Sequence, residues 1–155
     1  MDEKELCIQE TKKHIDLVGD LIVKLINELD KRIFFHDYSK LNEPEIEGFI
    51  KYTPKLKNCT YGSEEYKQYL KELKPYLDHH YQNNRHHPEH FENGISNMNL
   101  VDLIEMFCDW FAATKRHNDG DIYKSIDINK NRFGYDDILT NIFKNTVQLL
   151  ENKNE

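Results

Sequence analysis

The chain of 155 residues has little of what marks several large functional classes. It has three cysteines, Cys7, Cys59 and Cys108, with no C-x-x-C pair among them, which argues against a disulfide scaffold and a thiolate zinc site. Cys7 and Cys108 fall on apolar helical faces and read as small core residues. Uninterrupted apolar stretches last only a few residues, too short to cross a bilayer. The first residues, Met1-Asp2-Glu3-Lys4-Glu5, lack the basic start and apolar run of a secretory signal, so a reducing, cytoplasmic setting is expected. Lys and Arg total 21 against 28 Asp and Glu, a formal charge of −7, and the lysines are dispersed among glutamates. A nucleic-acid polymer, which needs clustered cations, is therefore not the expected partner. No alternating apolar–polar run marks a strand, and no internal repeat or low-complexity linker is present.

What remains is helical periodicity. Residues 4–30 place Cys7, Thr11, His14, Val18, Leu21, Ile22, Leu25 and Leu29 on one stripe. Residues 32–40 form a short element carrying His36. Pro44 suits the first turn of a helix reaching about Tyr52, where Pro54 interrupts it, and 53–62 read as a loop. Ser63 caps a helix that Pro75 kinks and that ends near Asn83-Asn84. Residues 85–97 form a structured loop. Asn99 caps a helix over about 100–117, which stops at His117-Asn118-Asp119-Gly120. Short helices near 121–131 and 135–152 complete a single all-α domain of six or seven helices. On the 100–117 helix, Leu100, Val101, Ile104, Phe107, Cys108 and Phe111 define the expected core face.

The chemistry concentrates in imidazole. Five of the eight histidines lie in His79-His80-Tyr81-Gln82-Asn83-Asn84-Arg85-His86-His87-Pro88-Glu89-His90. Imidazole titrates near neutrality and is the commonest metal ligand. His14 sits within about 40° of Val18 on the apolar stripe; a lone histidine there is more often a core residue than a ligand. His36-Asp37 follows the apolar Ile33-Phe34-Phe35, so the pair is either carried inward, where a cation would offset the buried carboxylate, or forms an exposed helix cap. Glu105 and Asp109 are i, i+4 neighbours beside Trp110 and Phe111, either partly buried or simply solvated charge. Several imidazoles plus Asp37 and Asp109 exceed the needs of one tetrahedral zinc; they suit one octahedral ion or two ions sharing a carboxylate. Such ligation fits iron, manganese, zinc, cobalt or magnesium without choosing among them. His90 and His117 fall outside the ligand set.

The order of these residues resembles the HD-domain superfamily of metal-dependent phosphohydrolases. His14-Ile15-Asp16-Leu17-Val18 resembles its first-helix histidine, and His36-Asp37-Tyr38-Ser39-Lys40 its H-D-x-x-K signature. His86-His87-Pro88-Glu89 is similar to an H-H-E segment, and Asp109-Trp110-Phe111-Ala112-Ala113-Thr114 to the segment bearing the last ligating Asp. More closely, the chain resembles an uncharacterised group of short HD-like proteins of bacteria and phages. The Gly-Tyr-Pro element of the cyclic-dinucleotide branch is absent, since Asn93-Gly94-Ile95 stands there instead.

The resemblance implies that His14, His36, Asp37 and Asp109 ligate, joined by His80 and one or both of His86 and His87. It places Lys40 near a substrate phosphate. The expected function is hydrolysis of a small phosphorylated compound, with nucleotides among the candidates. Glu105 or Glu89 would act as general base or orient a histidine, and Lys40 and Arg85 would offset phosphate charge. Two rivals keep the ion and change the role. One is a di-iron oxygenase, known within the same superfamily; the other is a non-catalytic, metal-stabilised binding module with a tyrosine-rich contact surface at Tyr61, Tyr66, Tyr69 and Tyr81. Oligomer formation is compatible with every reading.

Overall fold

The computed structural model describes residues 2–60, 63–116 and 120–151. They form six α-helices and three short 3-10 turns, with no strand among the described residues. The fold is all-α. Residues Tyr61 and His117 lie outside the described residues. The chain divides into two units, Met1–His36 and Asp37–Glu155.

The first unit is a single helix, α1 (Glu3–Phe35). Asp2 opens it with a reciprocal capping box. The Asp2 carboxylate accepts from the Glu5 backbone N–H at 2.7 Å, and the Glu5 side chain accepts from the Asp2 N–H at 3.1 Å. The expected break near residue 30 does not occur. Lys31, Arg32 and Ile33 continue the helical ladder, and the His36 N–H closes it onto the Arg32 carbonyl at 2.8 Å.

The second unit holds the remaining helices: α2 (Glu45–Asn58), α3 (Glu64–Asn83), α4 (Leu100–Thr114), α5 (Ile122–Phe133) and α6 (Asp137–Glu151). Both interior prolines are absorbed. Pro54 lies within α2 and Pro75 within α3, so residues 53–58 of the loop expected over 53–62 are helical instead. Proline removes one ladder hydrogen bond, but packing of α2 against α3 sets the outcome. Gly48 permits their approach: a methyl at that position would overlap the Tyr76 ring. Tyr52 and Leu73, each 4 % exposed, fill the contact.

The main core joins α4, α5 and α6. Met106, Phe107, Ile122, Ile126, Tyr135, Phe143 and Val147 are buried, with Trp110, Phe111 and Phe133 against them. Phe107 stacks on Phe143 with centroids 5.4 Å apart, and Trp110 lies parallel to Phe133 at 6.0 Å. The buried Tyr135 hydroxyl donates to the Ile126 carbonyl at 2.6 Å. Gly134 terminates α5 at φ 69°, a left-handed cap that favours glycine.

Helix α4 is turned relative to its expected face. Val101, Asp102, Glu105, Met106 and Phe107 are buried, whereas Leu100, Ile104 and Cys108 are exposed. The expected core positions Leu100, Ile104 and Cys108 are thus corrected. The cause is electrostatic as well as apolar: Asp102, 0 % exposed, is drawn inward by the Arg85 guanidinium, which donates from Nε to Oδ1 at 3.0 Å and from Nη2 to Oδ2 at 2.9 Å. Asp102 also completes the α4 capping box with Asn99.

Candidate metal centre

Asp37 is the pivot. It is the first residue after His36, the cap of α1, and adopts φ 56°, ψ 12°, a left-handed conformation that asparagine and aspartate tolerate better than most residues. Such a conformation persists where surrounding contacts over-determine it. The 3-10 turn Tyr38–Leu41 follows, and the Lys40 N–H bonds back to the Asp37 carbonyl at 2.9 Å. The Lys40 ammonium donates to Asp37 Oδ2 at 2.6 Å. The other oxygen, Oδ1, lies 3.2 Å from His80 Nε2 and 3.4 Å from His86 Nε2. Burial pushes the Asp37 carboxyl up, but the His80, His86 and Lys40 nitrogens beside it outweigh burial and hold the group far below the usual carboxylate range.

Two further elements bring the imidazoles in. His80 is 1 % exposed near the end of α3, and its Nε2 lies 2.9 Å from His87 Nε2. After α3 the chain turns through Asn84 and Arg85, and the pairing of Arg85 with the buried Asp102 carboxylate pins this turn to α4. That anchor sets His86, 1 % exposed, and His87 beside His80. The His86 and His87 ring centroids are 4.1 Å apart. Burial, reinforced by the neighbouring His86 and His80 rings, pushes His87 down to about 3, so its imidazole is neutral and ligand-ready at physiological pH.

One donor atom each from Asp37, His80, His86 and His87 lies within 4.8 Å of the others, so this group could hold a metal ion. One carboxylate oxygen of Asp109 comes within the same 4.8 Å of one of Asp37. Two carboxylates this close repel unless a cation or a proton lies between them. Nitrogen and oxygen donors without thiolate suit the first-row divalent metals and zinc. The chemistry of the donor set therefore fits a divalent cation.

Buried carboxylates stand behind the histidines. Glu45, 0 % exposed at the start of α2, lies 2.8 Å from His80 Nδ1 through Oε2 and 2.8 Å from His79 Nδ1 through Oε1. Glu105, 8 % exposed on α4, lies 3.1 Å from His86 Nδ1. A carboxylate behind a ligating imidazole orients the ring and raises its basicity.

The sequence-predicted residues fall into distinct places. Asp37, His80, His86, His87 and Asp109 gather in the second unit, and Glu105 supports His86. Lys40 is engaged with Asp37. Glu89 is not in the cluster: its Oε1 accepts from Arg132 Nη2 at 2.6 Å at the edge of a cleft. Arg85, expected beside a phosphate, is instead spent on Asp102. His90 Nδ1 donates to the Tyr81 carbonyl at 3.0 Å, outside the cluster. His79 faces Glu45. His36 directly precedes Asp37 in the chain. His14 requires a correction: α1 is unbroken, so 21 residues of rise hold His14 roughly 30 Å from its C-terminal end beside His36, and the two cannot share one ion.

Glu45 escaped the sequence reading. It stood among many glutamates beside Pro44, and only the packing of α2 on α3 brings it beneath two histidines 34 and 35 residues away.

A cleft of about 440 Å³ opens beside the cluster. His87 and Asp109 reach it from the candidate centre; Trp110, Ser125, Asn129 and Arg132 form further wall. The arrangement joins a buried donor set to an accessible space.

A family model, described as a family of unknown function (DUF5662), matches residues 3–154. The chain belongs to that family. No curated protein and no solved structure matches the chain. Among the described residues no helix is long and apolar enough to cross a membrane.

Proposed function

We propose that this protein is a metal-dependent phosphohydrolase of the HD-like kind, acting on a small phosphorylated compound, with nucleotides among the candidates. The observation that carries the reading is the convergence of Asp37, His80, His86 and His87 donors within 4.8 Å of one another, with His87 and Asp109 also lining a cleft.

A bound divalent cation would supply Lewis acidity toward a phosphoryl oxygen and would lower the pKa of a coordinated water toward neutrality. The chain's own residues do the rest. Lys40 holds Asp37 Oδ2, which leaves Oδ1 facing the histidines. Glu105 fixes His86 from behind. The cleft admits the ester while the buried rings exclude bulk water from the donor set, which strengthens every electrostatic contact there.

Charge pairing supports a metal as the electrophile. Lys40 pairs with Asp37, Arg85 with Asp102 and Arg132 with Glu89. Each of these three cations is thus already offset by a carboxylate, so in this reading the positive charge that phosphoryl transfer demands comes chiefly from the ion.

The test is metal analysis of the purified protein, followed by a panel of phosphate monoesters and diesters assayed with Mn, Fe, Co, Zn and Mg. The expected result is stoichiometric metal and metal-dependent phosphate release, both lost in Asp37→Ala and His80→Ala. Unchanged metal content and hydrolysis in those variants would refute the reading. Anaerobic purification with iron quantification reads out the oxygenase alternative, and metal without turnover of any ester reads out the binding module.

A further inference from the structure

We propose that Glu45 is a positioning residue that holds His80 in its Nδ1–H form and so aims the Nε2 lone pair into the donor cluster; this rests on the metal-centre reading above. The direction follows from counting hydrogens. Three groups approach His80 Nδ1: Glu45 Oε2 at 2.8 Å, Asn84 Nδ2 at 2.9 Å and Ser39 Oγ at 3.2 Å. The Asn84 amide has two hydrogens. One goes to Ser39 Oγ at 2.7 Å and the other to the His80 carbonyl at 2.8 Å, so neither is left for the ring. The Ser39 hydroxyl has one hydrogen, and it goes to Glu45 Oε2 at 2.9 Å. With both neighbouring donors committed elsewhere, Nδ1 itself carries a proton and donates it to Glu45.

The carboxylate is therefore the sink of a one-way network. Asn84 donates to Ser39, and Ser39 and His80 donate to Oε2. His79 Nδ1 approaches Oε1 at 2.8 Å, which completes a three-donor cradle for a fully buried anion. The cradle locks Glu45, and Glu45 locks the imidazole. With Nδ1 protonated, a neutral His80 has its lone pair on Nε2, the atom 3.2 Å from Asp37 Oδ1 and 2.9 Å from His87 Nε2. Nothing in the sequence pattern singles out this glutamate.

The test reads the tautomer directly. Metal-free, 15N-labelled full-length protein is examined by long-range 1H–15N NMR at neutral pH, with the His80 signals assigned by difference from His80→Gln. Zinc affinity is measured by titration on the same samples. The parent protein is expected to show one His80 form, protonated at Nδ1. Glu45→Gln keeps the shape and removes the charge; it should give mixed His80 tautomers and a zinc affinity lower by about 10- to 100-fold. His79→Ala, which removes one arm of the cradle but no contact to His80, should keep the single tautomer.

A parent His80 protonated at Nε2 overturns the proposal, as does a folded Glu45→Gln variant that keeps both the single tautomer and an affinity within about twofold of the parent. If Glu45→Gln fails to fold, the parent spectrum alone decides. An Nδ1–H parent that binds neither zinc nor manganese nor iron overturns the metal-centre reading itself, and with it the purpose of the aim but not the hydrogen bond.

Discussion

Replacing Arg85 by alanine separates a structural arginine from a substrate-binding one. The guanidinium makes two charge-assisted bonds to Asp102, at 2.9 and 3.0 Å, and the carboxylate they serve is wholly buried. Removing one partner of a buried pair typically costs about 3–5 kcal/mol, because the remaining charge stays desolvated. The Arg85 side chain is 42 % exposed, so water can enter where it stood, and the lower end applies. A loss of about 3 kcal/mol follows, a fall in Tm of roughly 6–12 °C for a chain of this size. Asp102→Asn removes the buried charge and keeps a polar side chain at the α4 cap. The double variant Arg85→Ala/Asp102→Asn should therefore lose less than the two single variants added together, with a coupling of at least about 1 kcal/mol. Thermal melts followed by circular dichroism at 222 nm measure all four corners of the cycle. A Tm shift below about 2 °C for Arg85→Ala, or strict additivity, would refute the reasoning. So would a well-folded Arg85→Ala protein that keeps the parent's metal content while its kcat/KM toward a phosphate ester falls a hundredfold, since that would put the side chain on the substrate.

Metal content should distinguish the histidines: His80→Ala and His86→Ala lower bound metal at least tenfold by mass spectrometry, whereas His14→Ala, far along α1, leaves it unchanged. Tyr135→Phe removes a hydrogen bond to the Ile126 carbonyl and should cost about 1 kcal/mol at neutral pH, read by urea denaturation. Burial pushes the Tyr135 hydroxyl up to about 12, above its value near 10 in an unfolded chain. Its contribution is thus complete below pH 10 and lost as pH rises toward 12, so the phenylalanine variant should lose less stability than the parent over that interval. Ile126→Ala opens a cavity at a site with no exposure and should cost about 2–5 kcal/mol, with Ile126→Val costing about 0.5–1.5 kcal/mol by the same assay.

Much of the fold was legible because helices are local. The caps at Ser63 and Asn99 stand where the side-chain chemistry placed them, each accepting from a backbone N–H three residues on. The prolines misled for the opposite reason. Pro54 and Pro75 weaken a helix locally, but packing between α2 and α3, with Gly48 beneath Tyr76, outweighs one missing hydrogen bond. The buried face of α4 is not legible from apolarity alone, because Arg85 holds Asp102 inward from a distant turn while Ile104 stays outside.

The sequence by itself determined the all-helical class, the helix starts and the concentration of imidazole between His79 and His90, since these depend on neighbours within a few residues. Which imidazoles meet Asp37 was a tertiary decision. His80 and His79 are adjacent in the chain, yet one points into the cluster and the other toward a buried glutamate, because a helix splays consecutive side chains by about 100° and only packing says which direction is inward. The same packing delivered Glu45 and Glu105 behind the rings and tied Arg85 to Asp102. Charges are placed by what surrounds them in space, and that environment is built from residues far apart in the chain.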